Sequence, residues 1–181
     1  MARGTVLPKA AKPATVNSTI LGAAAEHYVM CQLLRQDMIA ALAPAGVPNC
    51  DLVVTDKLGS KVAAVQVKAR RDIGSDGGWH MKKKHEAMIE PLLFYCFVDF
   101  GKSLADAPKC WVIPSAIVAD TLKRSYQAWF KAPGRGGRAH KDHDMRRFLP
   151  DYSAHPIGKD AGWLDEFYEN WSLLKGAAQG S

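Results

Sequence analysis

The stretch AAVQVKARRD, residues 63–72, decides how this chain is read. In a strand the side chains alternate, so Val65 and Val67 go to one face and Ala64, Gln66 and Lys68 to the other. The apolar surroundings mark the strand as buried. Polar groups in a core are costly unless they are paired or serve a site, so an amide and an ammonium on one face need a reason. Three basic residues within four positions, Lys68, Arg70 and Arg71, then close the segment.

Upstream, DLVVTD (51–56) and KVAAVQVKAR (61–70) predict a hairpin, with Gly59 in the connection 57–60. A turn there sets Asp51 across from Gln66. STILGAAAEHYVMCQLLR (18–35) predicts a helix capped by Asn17 or Ser18, and MIAALA (38–43) a short strand confined by Pro44, Gly46 and Pro48. The small residues around Gly22-Ala-Ala-Ala-Glu26 let that helix lie close to a sheet and bring Glu26 to the same end as Asp51.

Downstream, DIGSDGGWHMKKKHE (72–86) reads as a Gly-rich basic loop. LLFYCFVDF (92–100) and CWVIP (110–114) read as paired apolar strands, and Ser115 as the cap of a helix over 116–130. KAPGRGGRAHKDHDMRRF reads as a second basic loop, and GWLDEFYENWSLL (162–174) as an amphipathic C-terminal helix. Trp129, Phe130, Trp163, Phe167 and Trp171 fall at helical spacing and suit a core or a dimer face. The expectation is α/β: a mixed central β-sheet flanked by helices, one domain over 18–175 behind a flexible tail at 1–17, with basic loops at 70–86 and 131–147.

The 181 residues are enough for a sizeable core, with 48% hydrophobic and 23% charged. No apolar run approaches membrane-spanning length, and the N-terminal stretch lacks the apolar core of a signal peptide. Cys31, Cys50, Cys96 and Cys110 sit among apolar residues with no CxxC spacing. They read as buried free thiols of a reducing, cytoplasmic compartment rather than a zinc site or a disulfide framework. His140 and His143 with Asp142 and Asp144 lack the apolar frame of a metal site.

Formal net charge is +6, and it is patched. Residues 68–84 carry six basic and two acidic side chains, and residues 131–147 the same, so the remainder is slightly acidic. Such patches suit a polyanionic partner, above all DNA. Candidate contacts are Arg70, Arg71, His80, Lys82, Lys83, Lys84, Arg135 and Arg138. Trp79 suits either base stacking or core packing.

Gly22-x-x-x-Glu26, Asp51 after Pro48-Asn49-Cys50, and Gln66-x-Lys68 together resemble the core of the PD-(D/E)XK nuclease superfamily, which includes restriction enzymes, Holliday junction resolvases and some homing endonucleases. The likeness runs from about 18 to 114. It extends to small bacterial members with a GWH segment after the motif strand. The resemblance implies a restriction-endonuclease-like core and a metal-dependent DNA endonuclease. Asp51 would be the main metal ligand, Glu26 and Gln66 further ligands, and Lys68 the group that orients the attacking water. Oxygen donors suit Mg²⁺, or Mn²⁺. Gln66 departs from the family's acid: its amide oxygen coordinates but carries no charge. That leaves open a catalytically inactive nucleic-acid-binding module, and, further off, an interaction protein for an acidic partner. Cutting both strands with so small a domain implies a homodimer.

Overall fold

In the computed structural model the described residues are 17–59, 62–73, 77–154 and 157–179. The N-terminal tail up to residue 16 lies outside them. The strand anticipated at 61–70 is β3 (Val62–Arg70), and it is hydrogen-bonded along both edges. On one side runs β2 (Leu52–Thr55), antiparallel, with Leu52 opposite Val65. That register continues to set Asp51 against Gln66, as the hairpin reading requires. Gly59, at φ +69°, takes the left-handed turn conformation. On the other side runs β5 (Leu93–Asp99), parallel, with Gln66 beside Tyr95 and Lys68 beside Phe97. β1 (Ile39–Leu42) and β6 (Lys109–Pro114) complete a mixed five-stranded sheet in the order β1-β2-β3-β5-β6.

The apolar periodicity sorts cleanly onto the two faces. α1 (Ser18–Arg35) begins at Asn17, whose side chain accepts from the amides of Thr19 and Ile20. It lays Ala25, Val29 and Leu33 onto Leu52, Val65, Val67, Cys96 and Val98. Opposite, Tyr95, Phe97 and Ile113 pack with Val118 and Leu122 of α2 (Ser115–Lys131). β5 is buried at every position, as expected of a strand covered on both faces.

Four features differ from the sequence reading. The two basic loops are partly one antiparallel ribbon, β4 (Trp79–Lys82) with β7 (Met145–Phe148). Alternation along it buries Trp79, Met81, Arg146 and Phe148 and turns His80, Lys82, Met145 and Arg147 outward. Gly78 has to be glycine at its entrance, because a Cβ there would meet the Phe148 carbonyl oxygen at 2.5 Å. The expected C-terminal helix is broken: a 3₁₀ turn (Asp165–Phe167) leads to a bridge between Tyr168 and Trp111 before α3 (Ser172–Gln179). There the outer edge of β6 takes the chain, with the Glu169 amide donating to Cys110 O at 2.9 Å and Glu169 at φ +49°. Ser115 is the first residue of α2 rather than its cap, and its hydroxyl donates to Glu90 O at 2.8 Å. Only Cys96 and Cys110 are buried thiols; Cys31 stands on the exposed side of α1 and Cys50 is half-buried.

Trp79 is core. It is 1% exposed, its indole N–H donates to Val98 O at 3.0 Å, and its ring meets Phe97 and Trp111 edge-on at 5.2 and 5.6 Å. It therefore offers no surface for a base, since every side of the ring is already in contact. Trp79→Ala is expected to cost about 3–5 kcal/mol of stability, read from urea unfolding midpoints. A loss below about 0.5 kcal/mol, as for a surface position, would refute the core role.

Candidate functional site

The site gathers where the hairpin opens. Asn49 adopts φ +64° and lets the chain turn from Pro48 into β2. Asp51 is then tied on three sides. Its amide donates to Val65 O at 2.9 Å, its carbonyl accepts from Ala43 N at 2.9 Å, and its Oδ2 accepts from Val67 N at 2.7 Å. That last bond aligns the carboxylate with the middle of β3. Gln66, 7% exposed, lies beside it, and its Oε1 is buried with no donor among the described residues. An unpaired buried acceptor carries a full desolvation cost, so it marks a place where something positive belongs.

The charges act on one another. Burial lowers the proton affinity of Lys68 below the ordinary lysine value; Lys84 adds to this, while Asp51 and Glu26 oppose it. Glu26 holds its proton more tightly than a free carboxylate, first because it is partly buried and then because Asp51 repels its charge. The Glu26 and Asp51 carboxylates and the Gln66 amide oxygen could together offer an all-oxygen donor set. Such a set would fit a hard divalent cation. Glu26, Asp51 and Gln66 are the residues that would hold it. Among the described residues no group of three His, Cys, Asp or Glu side chains is gathered to bind a metal. Gln66 would be a neutral third donor.

His85 was missed in the sequence because it stood in a run read as loop. It is 3% exposed, in a 3₁₀ turn (Lys83–Glu86) that follows β4. Its Nδ1 lies 2.9 Å from the Lys82 amide nitrogen and 3.0 Å from the Lys82 carbonyl oxygen. Its Nε2 has no partner, and its ring meets Tyr95 edge-on at 6.0 Å. Burial, and then the Lys68 charge, pull its pKa down to about 4. The strict alternation in Trp79-His80-Met81-Lys82 was the signal that this segment is a strand leading into a buried turn.

The proposed basic contacts divide. Lys84 stands beside the site, its Nζ donating to Asn49 Oδ1 at 2.8 Å. His80 and Lys82 face outward from the ribbon, and Arg138 is exposed. Lys83 is exposed but paired with Asp142 at 2.9 Å. Arg70 is not an outward cation. Its guanidinium is half-buried and paired with Asp99 at 2.6 Å, donates to Gly77 O and lies 4.3 Å from the Trp79 ring centroid. A charge neutralised that way has little left for a phosphate. Arg71 donates to Lys102 O at 2.5 Å, at the far end of β3, about 15 Å along the strand from Gln66. The Arg135 side chain lies outside the described residues.

Compared by shape, the chain is similar to the bacterial homing endonuclease I-Ssp6803I, with a TM-score of 0.51 and 16% identity, covering 91% of this chain and 97% of that one. It is also similar to Hjc, a Holliday junction resolvase from Archaeoglobus fulgidus, with a TM-score of 0.41 and 14% identity over 77% and 90%. No protein-family model and no curated protein matches it. The first likeness shows that this mixed sheet with flanking helices is a nuclease-like fold. Among the described residues no helix is long and apolar enough to cross a membrane.

The buried imidazole has a consequence for stability. Its folded pKa is about 4 against an ordinary 6.5, so the unfolded chain binds the proton more readily between those values. The His85 contribution is therefore complete above pH 6.5 and is lost as pH falls toward about 4. His85→Gln is expected to flatten the fall in urea midpoint over that window, and an unchanged slope would show that His85 does not titrate as a buried group.

Proposed function

We propose that this chain is a metal-dependent DNA endonuclease of the PD-(D/E)XK kind. The observation that carries the reading is the meeting of Asp51, Gln66 and Lys68 at the open end of one hairpin, with the Gln66 carbonyl oxygen buried and unpartnered. Glu26, Asp51 and Gln66 would hold the cation, Mg²⁺ or Mn²⁺. When bound, it neutralises phosphate charge and lowers the pKa of a coordinated water. Asp51 keeps its orientation through the Val67 amide. Lys68, partly desolvated, orients the attacking water and donates to a phosphoryl oxygen as negative charge develops, an interaction stronger there than in bulk water. Lys84, Lys82 and His80 lie along the path a phosphate backbone takes from the site onto the ribbon. A nuclease-like fold raises the expectation without establishing the chemistry, since folds host many functions. Cleavage of both strands would require a homodimer.

A second reading is favoured by one observation. Gln66 stands where a third carboxylate would, so the same fold binding nucleic acid without cutting it is consistent with the donor set. Cleavage of supercoiled plasmid during Mg²⁺ and Mn²⁺ titration separates the two. Lys68→Ala and Asp51→Asn are each expected to lower the cleavage rate by about 100-fold or more. If both cut like the wild type, the site is wrongly assigned. Gln66→Glu is expected to lower the metal concentration at half-maximal rate. Salt-sensitive binding with no cleavage in either metal, and cutting acquired only by Gln66→Glu, would establish the binding module.

A further inference from the structure

Beside the ribbon lies a cavity that the hydrolytic site does not use. Resting on the nuclease reading, we propose that it is a subsite for an unpaired nucleobase, and that the substrate is DNA carrying an extrahelical or single-stranded nucleotide. The cavity has a volume of about 480 Å³, within the range of small-ligand pockets. Tyr126 and Trp129 of α2 form one wall, and His80, Met145 and Arg147 on the outward face of the ribbon form the other. Trp129 is half-buried, with Tyr126 at 5.3 Å and His143 at 5.2 Å between ring centroids. His140 packs on Trp129 at 3.8 Å without lining the cavity.

The walls are held in place before any ligand arrives. The Tyr126 hydroxyl donates to Asp142 Oδ1 at 2.6 Å, and the Arg146 guanidinium lies 3.2 Å from the Tyr126 ring centroid. Arg146 is itself buried and paired with Glu86. Such fixed aromatic surfaces are costly to leave half-exposed, and they suit a flat apolar ring. Among the described residues no carboxylate lines the cavity, so an occupant attached to an anion meets no like charge there. A nucleobase on its phosphate backbone meets both requirements. A base inside a paired duplex cannot enter a concave pocket, because its faces are stacked on its neighbours.

The test is binding by the full chain in EDTA, read by fluorescence anisotropy. The probes are a fully paired duplex and the same duplex with one bulged thymidine. Wild type is expected to bind the bulged duplex at least about 10-fold tighter. Trp129→Ala should reduce that ratio to near one, and Trp129→Phe should retain most of it. Met145→Glu, at a half-exposed position of the wall, should also abolish the ratio and covers the case in which Trp129→Ala fails to fold. Equal affinities in wild type, or a ratio that survives both Trp129→Ala and Met145→Glu, overturn the subsite. Plasmid cleavage run in parallel separates the failures. Cutting without bulge preference removes the subsite alone, and neither binding nor cutting removes the nuclease reading with it.

Discussion

The double coverage of β3 is the constraint on which the rest depends. Both edges of the strand are hydrogen-bonded, α1 covers one face, and the aromatic core under α2 covers the other. Water is thereby kept from the middle of the strand. Gln66 is buried there and Lys68 partly covered at its border, and their properties follow from it. The lysine holds its proton less firmly, and the amide oxygen is left without a donor. The Asp51 carboxylate is held in place by the Val67 amide. The hairpin register and the site geometry are thus one fact, since a slip of one residue would turn every side chain of the strand to the other face.

Net charge proved a poor guide to which cations reach solvent. Arg70 and Arg146 stand in the two basic segments, yet Arg70 is half-buried, Arg146 is buried, and both are paired with carboxylates of their own chain. They hold the ribbon down: Arg70 lies over Trp79, and Arg146 over Tyr126. The stacked pair Phe97 and Phe148, 4.2 Å apart, fastens the other side of the same ribbon to the sheet. With those arginines directed inward, the positive character of the outer surface falls to Lys82, Lys84 and their neighbours. Arginine suits the inner task because its planar fork makes several hydrogen bonds at once and is less strongly hydrated than an ammonium.

Most of the central sheet was legible in the sequence. The helix at 18–35, the hairpin with Asp51 opposite Gln66, and the apolar strands after it all rest on local periodicity and turn chemistry, which act between near neighbours. The positions of Glu26, Asp51 and Gln66 were legible for the same reason, because they lie on elements that the pattern locates. The segment 162–174 was not. Its amphipathic spacing suits a helix, but the open edge of β6 offered backbone partners that won over local preference at Tyr168 and Glu169. His85 was hidden likewise, because burial of its turn depends on Tyr95 and on the ribbon above it.

The sequence by itself determined the alternation of β3, its register with β2, and the residues able to donate oxygen at their shared end. Only the tertiary structure decided how the basic segments are used. β4 and β7 pair along their length, Trp79 opposite Phe148, and Glu86 in the turn after β4 holds Arg146, 60 residues on. The alternation in Trp79-His80-Met81-Lys82 marks a strand but not its partner, because contacts at that separation leave no trace in the local sequence. Which cations turn inward, and that an aromatic cavity opens beside the ribbon, follow from that long-range pairing and from the closed packing it permits.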